Sequence, residues 1–180
     1  MMPPYAKTIV RRAASKAFIA VAVCLLVLAG GCTDDARMPL YSRFVDFAGA
    51  RWHGAESVEF DITPADTRHP IPADAEMSVY VRHGGAYPYA ELWIVADMYA
   101  DGVALESDTL RIPMSDADGN WLGCRSYGMY EVSASLPALA ARADRIELWQ
   151  AMPADEIESV RSVGVVARRK NSVSSPLSIF

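Results

Sequence analysis

Acidic residues are absent from the first thirty-one positions, which carry Lys7, Arg11, Arg12 and Lys16 instead. A long apolar run is lacking too. The stretch AFIAVAVCLLVLAGG, Ala17 to Gly31, falls short of the roughly 20 apolar residues that a membrane-spanning helix requires. A basic segment, a short apolar segment and a small-residue exit form the tripartite pattern of a secretory signal. Cysteine is scarce: the 180 residues hold Cys24, Cys32 and Cys124. Cys24 lies inside the signal and Cys32 directly after it, so Cys124 alone is left as an ordinary thiol. An intrachain disulfide is thereby excluded in spite of export to an oxidising space, and stability has to come from packing.

Cys32 follows Ala29-Gly30-Gly31. Small residues immediately before a cysteine resemble a bacterial lipobox, in which cleavage falls between Gly31 and Cys32 and the new N-terminal cysteine is diacylated. Ala29 stands where such sequences usually carry Leu, with Leu28 one place earlier. The competing reading is a plain signal peptide with a chance cysteine. Thr33 replaces the Asp that marks inner-membrane retention in some bacteria. Asp34 and Asp35 resemble the acidic export signals of Bacteroidetes surface lipoproteins. The expectation is a lipid-anchored outer-membrane protein, held by acyl chains such as palmitate on Cys32, with the membrane face left open.

Without the signal, 149 residues remain, carrying thirteen basic against twenty-two acidic side chains, a net of −9. That length suits one domain with a real core. That charge argues against nucleic acid as a partner. Residues 32–48 read as an acylated tether, 49–168 as the folded domain and 169–180 as a flexible tail. The body alternates with period two: Val58, Phe60 and Ile62; Met77, Val79 and Val81; Leu92, Ile94, Ala96 and Met98; Leu110, Ile112 and Met114; Ile146, Leu148 and Met152; Val163, Val165 and Ala167. Turn residues separate these runs, at Pro70 and Pro72, Gly84-Gly85, Asp101-Gly102 and Asp118-Gly119. Helix-favouring composition is confined to PALAARA (Pro137 to Ala143). The pattern predicts an all-β fold, an antiparallel β-sandwich of roughly seven to eight strands.

Catalytic spacings are also lacking. His53, His69 and His83 form no HxH, HxxxH or HExxH pattern and read as turn or strand-end residues, so no metal is expected. No GxSxG elbow occurs, and Cys124 has no base near it in sequence. Asp116 and Asp118, in SDADGNW, fail the EF-hand pattern and read as a tight turn. Neither cofactor nor catalytic residue is expected, and the chain reads as a non-enzyme. Trp93, Tyr99 and Trp149 fall on the strand faces opposite the aliphatic series. Exposed rings there would contact a protein partner or stack on sugars; covered rings would be structural.

Between Trp52 and Ala167 several words occur in a specific order. They are Trp52-His53 ahead of VEFDI, YPYAELWI (Tyr87 to Ile94), SDTLRIPM (Ser107 to Met114), DGNWLG (Asp118 to Gly123), ELWQAM and SVGVVA. In these the chain resembles the GldH family of gliding-motility lipoproteins of Bacteroidetes. It departs from the family pattern at Cys124 to Gly128, at Pro153 where Arg is usual, and at Ile157 to Val160. The resemblance implies a non-catalytic accessory of the gliding apparatus, tied to type IX secretion, with protein partners there and no catalytic residues to carry over. The alternative is a surface glycan-binding sandwich lipoprotein.

Overall fold

The computed structural model describes residues 39–62 and 70–170. Gly31, Cys32 and His69 lie outside the described residues, as do the signal and most of the expected tail. Eleven strands follow in chain order: β1 (Tyr41–Asp46), β2 (Arg51–His53), β3 (Val58–Asp61), β4 (Glu76–Gly84), β5 (Glu91–Ala100), β6 (Val103–Pro113), β7 (Cys124–Ser126), β8 (Met129–Ser135), β9 (Arg145–Gln150), β10 (Glu156–Glu158) and β11 (Val160–Arg168). They form a five-stranded sheet β1-β11-β4-β8-β7, a four-stranded sheet β3-β9-β5-β6 and a small ribbon β10-β2. Every pairing is antiparallel. The inward residues of both large sheets join one hydrophobic core, which makes the fold an all-β sandwich.

The period-two reading places the core correctly in β3, β4, β5 and the end of β6. Met77, Val79 and Val81 face inward from one sheet, and Leu92, Ile94, Ala96 and Met98 from the other, all buried. Each fully buried Val, Leu, Ile or Met side chain contributes about 1.5–3 kcal/mol. The β5–β6 hairpin turns on Asp101-Gly102, both at positive φ (51° and 75°). That is the two-residue turn whose twist matches the flanking strands.

Three expectations need correction. Tyr41–Asp46, read from sequence as tether, is the edge strand β1 paired along β11. Its burial does not alternate, so no period-two signal marks it. Met152 does not extend the inward series of Ile146 and Leu148, because β9 ends at Gln150. Only Ala138–Arg142 of the PALAARA segment is helical, as a 3-10 turn.

In β11 both faces are covered: Ser162 and Val166 are buried along with Val163, Val165 and Ala167. Gly164 explains part of this. It pairs with Phe44 on one side and Tyr80 on the other. The Phe44 ring lies so low across it that an added Cβ would come within 2.4 Å. Arg82 closes the outer side, 3.9 Å over the Phe44 ring and bonded to Glu131 at 2.7 Å.

Candidate functional site

Two groupings of aromatic side chains stand out, and the strands determine which of them meets solvent. The first lies where β4 ends. His83 is fully buried, with the rings of Trp121, Tyr130 and Tyr87 centred 5.0, 5.4 and 5.5 Å away. His83 Nδ1 lies 2.9 Å from the Gly84 carbonyl. A carbonyl only accepts, so Nδ1 carries the proton and Nε2 presents a lone pair. That Nε2 is buried with no hydrogen-bond partner. Burial disfavours the imidazolium and holds the His83 pKa below the ordinary histidine value, against a smaller opposing effect of the Gly84 bond. Tyr87 donates its hydroxyl to the Glu91 carbonyl at 2.9 Å, and burial pushes its phenol far above the usual range. His83 and Tyr87 are buried in this set, which packs and positions, while Trp121 and Tyr130 form its partly exposed rim.

The second grouping lies on the outer face of the four-stranded sheet. Alternation along β5 and β9 turns Trp93, Tyr99 and Trp149 outward, opposite the buried aliphatic series. Trp93 is 43% exposed, whereas Trp149 and Tyr99 are half-buried. Trp149 pairs with Val95, beside Trp93, so these three make one patch. Tyr99 sits six residues along β5, about 20 Å away at strand spacing. Its ring is already covered by Arg145, whose guanidinium lies 4.1 Å from the centroid. The structure thus brings two of the three sequence candidates together and separates the third.

Trp93 is held in place although it is exposed. Glu91 Oε2 accepts from the Trp93 indole at 3.2 Å and from Arg111 Nε at 2.7 Å. Arg111 lies 5.9 Å over the Trp93 ring. The Arg111 bond first, and the indole bond second, hold the Glu91 carboxyl below its usual pKa. The backbone is fixed as well: Trp93 accepts from Ala151 N–H at 2.9 Å and donates its own N–H to the Met152 sulfur at 3.4 Å. A cleft of about 590 Å³ opens there, lined by Tyr89, Ala90, Glu91, Trp93, Met152 and Pro153 among others. Buried Gln150 braces the segment behind the cleft, accepting from Met152 N–H and donating to the Ala154 carbonyl, both at 2.8 Å.

Sequence reasoning placed Trp93 and Trp149 on the outward face but missed the cleft. Tyr89 reaches the cleft from just ahead of β5, but Met152 and Pro153 reach Trp93 only because the chain turns back after β9, which no local pattern announces.

The remaining candidates are dispersed. His53 is exposed and pairs with Glu156 at 3.2 Å. Cys124 is an exposed free thiol on edge strand β7. Asp116 accepts from the backbone of Asp118 and Asn120 and from the Asn120 side chain at 2.8–3.0 Å. That is the self-bonded Asx turn expected of this segment, with Gly119 at φ 82°. Among the described residues no three His, Cys, Asp or Glu side chains are grouped to hold a metal ion.

A family model described as GldH lipoprotein matches residues 39–166. Comparison with curated proteins and with solved structures finds no match.

Proposed function

The chain belongs to the GldH lipoprotein family, and from that premise we propose that it is a non-catalytic accessory of the gliding-motility and type IX secretion machinery, held at the outer membrane by acyl chains on Cys32. A lipoprotein related to gliding motility, and associated with a membrane, is what the family name suggests. One observation carries the finer reading. The family match spans nearly the whole folded sandwich, so its common role belongs to this domain. Acyl chains on Cys32 would confine the sandwich to a membrane surface, each buried CH₂ contributing about 0.8 kcal/mol. The short chain between Cys32 and β1 would keep the domain at high effective concentration near partners in that membrane.

The test is genetic and chemical together. In the native host, Cys32→Ser is expected to abolish the diacyl mass increment, release the protein from the outer-membrane fraction, and match the gene deletion in motility and type IX secretion. An unmodified cysteine in the wild type, or a deletion that leaves both processes intact, would remove the proposal.

A surface glycan-binding module is the second reading, supported by the exposure of Trp93. Tyr99 gives it little help, since Arg145 already covers that ring.

A further inference from the structure

We infer that the cleft beside Trp93 is a docking site for an extended, basic protein segment. Its apolar side chain would sit on the indole, and its Arg or Lys side chains would lie over the middle of the same sheet face. The inference deepens the assembly reading by naming the contacting surface, and it rests on the domain being a protein-binding module.

The cleft selects an apolar anchor. A sugar presents hydroxyls around its ring, and those turned to the wall would need a free donor or acceptor there. The walls here are Tyr89, Ala90, Met152 and Pro153. The one carboxylate, Glu91, already receives Arg111 and the Trp93 indole. A proline or aliphatic side chain needs no such partners. A rigid Trp and Tyr with an adaptable Met thioether offer it contact area at low entropic cost. Trp93 is also preorganised, so little ordering remains to oppose binding.

The charge of the occupant is read from the neighbouring register. Glu147 lies directly opposite Glu59 on one side and Asp97 on the other. Three carboxylates therefore stand in a row across β3, β9 and β5. Like charges placed directly opposite each other weaken a sheet. Arg145 contacts Glu147 and, at 3.5 Å, Glu59, while Asp97 has no ion pair among the described residues. Cationic side chains from a partner would complete what Arg145 begins. Trp93 and Asp97 are four residues apart on β5, about 13 Å, a span that an extended segment covers in a similar number of residues.

The test uses the lipidated mature chain in nonionic detergent and fluorescent twelve-residue peptides. Each peptide carries a central Pro-Leu anchor and a net charge of about +4, 0 or −4, chosen to scan complementarity. The cationic peptide is expected to bind at least tenfold tighter than the neutral one. Trp93→Ala should weaken it at least tenfold with the thermal unfolding curve unchanged. Asp97→Asn with Glu147→Gln should erase the preference for positive charge while leaving the neutral peptide unaffected. Equal binding of the +4 and −4 peptides, or no effect of Trp93→Ala, would overturn the inference. So would Trp93-dependent binding on a glycan array with no peptide binding. A motility phenotype on deletion would stand through any of those failures, so the docking site and the assembly role fail separately.

Discussion

Two aromatic groupings of similar chemistry meet opposite fates in this molecule. His83, Tyr87, Trp121 and Tyr130 close on one another at the end of β4, and the histidine ring is lost to solvent. Trp93 and Trp149 stand on the outside of the four-stranded sheet, with Trp93 clamped by Glu91 and Arg111 yet open to water. In the first grouping the buried His83 and Tyr87 direct their donors to the Gly84 and Glu91 carbonyls, under a partly exposed rim of Trp121 and Tyr130. The second is rigid from below and bare above. Composition does not separate a structural from an interacting cluster here; the covering loops do. Substitutions should therefore split cleanly, with stability lost at the closed grouping and binding lost at the open one.

The largest effect is expected from Tyr87→Ala, which empties a buried ring site and removes the bond to the Glu91 carbonyl. A loss of about 3–5 kcal/mol should appear as a lower midpoint in denaturant with an unchanged slope. A smaller loss would mean that the grouping can collapse onto itself. Next comes Gly123→Ala. This glycine has φ +83°, and a Cβ there would fall 2.0 Å from the Glu131 carbonyl oxygen. Backbone strain and overpacking together should cost about 2–5 kcal/mol, again read from denaturant unfolding. It would displace the Trp121 segment from β8, so near-ultraviolet circular dichroism should lose the Trp121 contribution.

A pH series sharpens the contrast further. The folded pKa of His83 is depressed by burial, so as pH falls the unfolded chain takes up the proton first, near the ordinary value of about 6.5. Stability from keeping this ring neutral is therefore complete above that value. It is lost progressively as pH drops from there toward the lower folded value. Melting temperatures from pH 8 down to 5 should fall more steeply for the wild type than for His83→Phe; parallel curves would show that the ring is not held neutral. The smallest effect on stability belongs to Trp93→Ala, expected within about 0.5 kcal/mol of wild type by the same denaturant assay. A large destabilisation would make the Trp93 patch structural and erase the distinction.

Much of the sandwich is legible in the sequence, because strands with one buried face must alternate. Leu92 to Met98 and Met77 to Val81 state their inward faces outright, and the same alternation points Trp93 and Trp149 outward. The failures have physical causes. β1 lies at an edge with Phe44 folded over Gly164, so its contacts run across the strand and leave no period. Trp52 is wholly buried and stacks on Phe47 at 5.0 Å across the Ala48–Ala50 turn, and the three-residue strand that carries it is too brief to show a pattern. His83 does end its strand, but its burial depends on Trp121, thirty-eight residues away in sequence. The cleft is likewise a product of long-range return.

The four tryptophans allow one measurement to test the division between closed and open aromatics. Trp52 and Trp121 belong to packed surroundings, Trp93 and Trp149 to the outer patch, and each indole N–H gives its own signal in a ¹H–¹⁵N spectrum. Titration with the cationic Pro-Leu peptide should move the Trp93 signal most, Trp149 less, and leave Trp52 and Trp121 in place. An unmoved Trp93, or a Trp121 that shifts as far, would contradict the account.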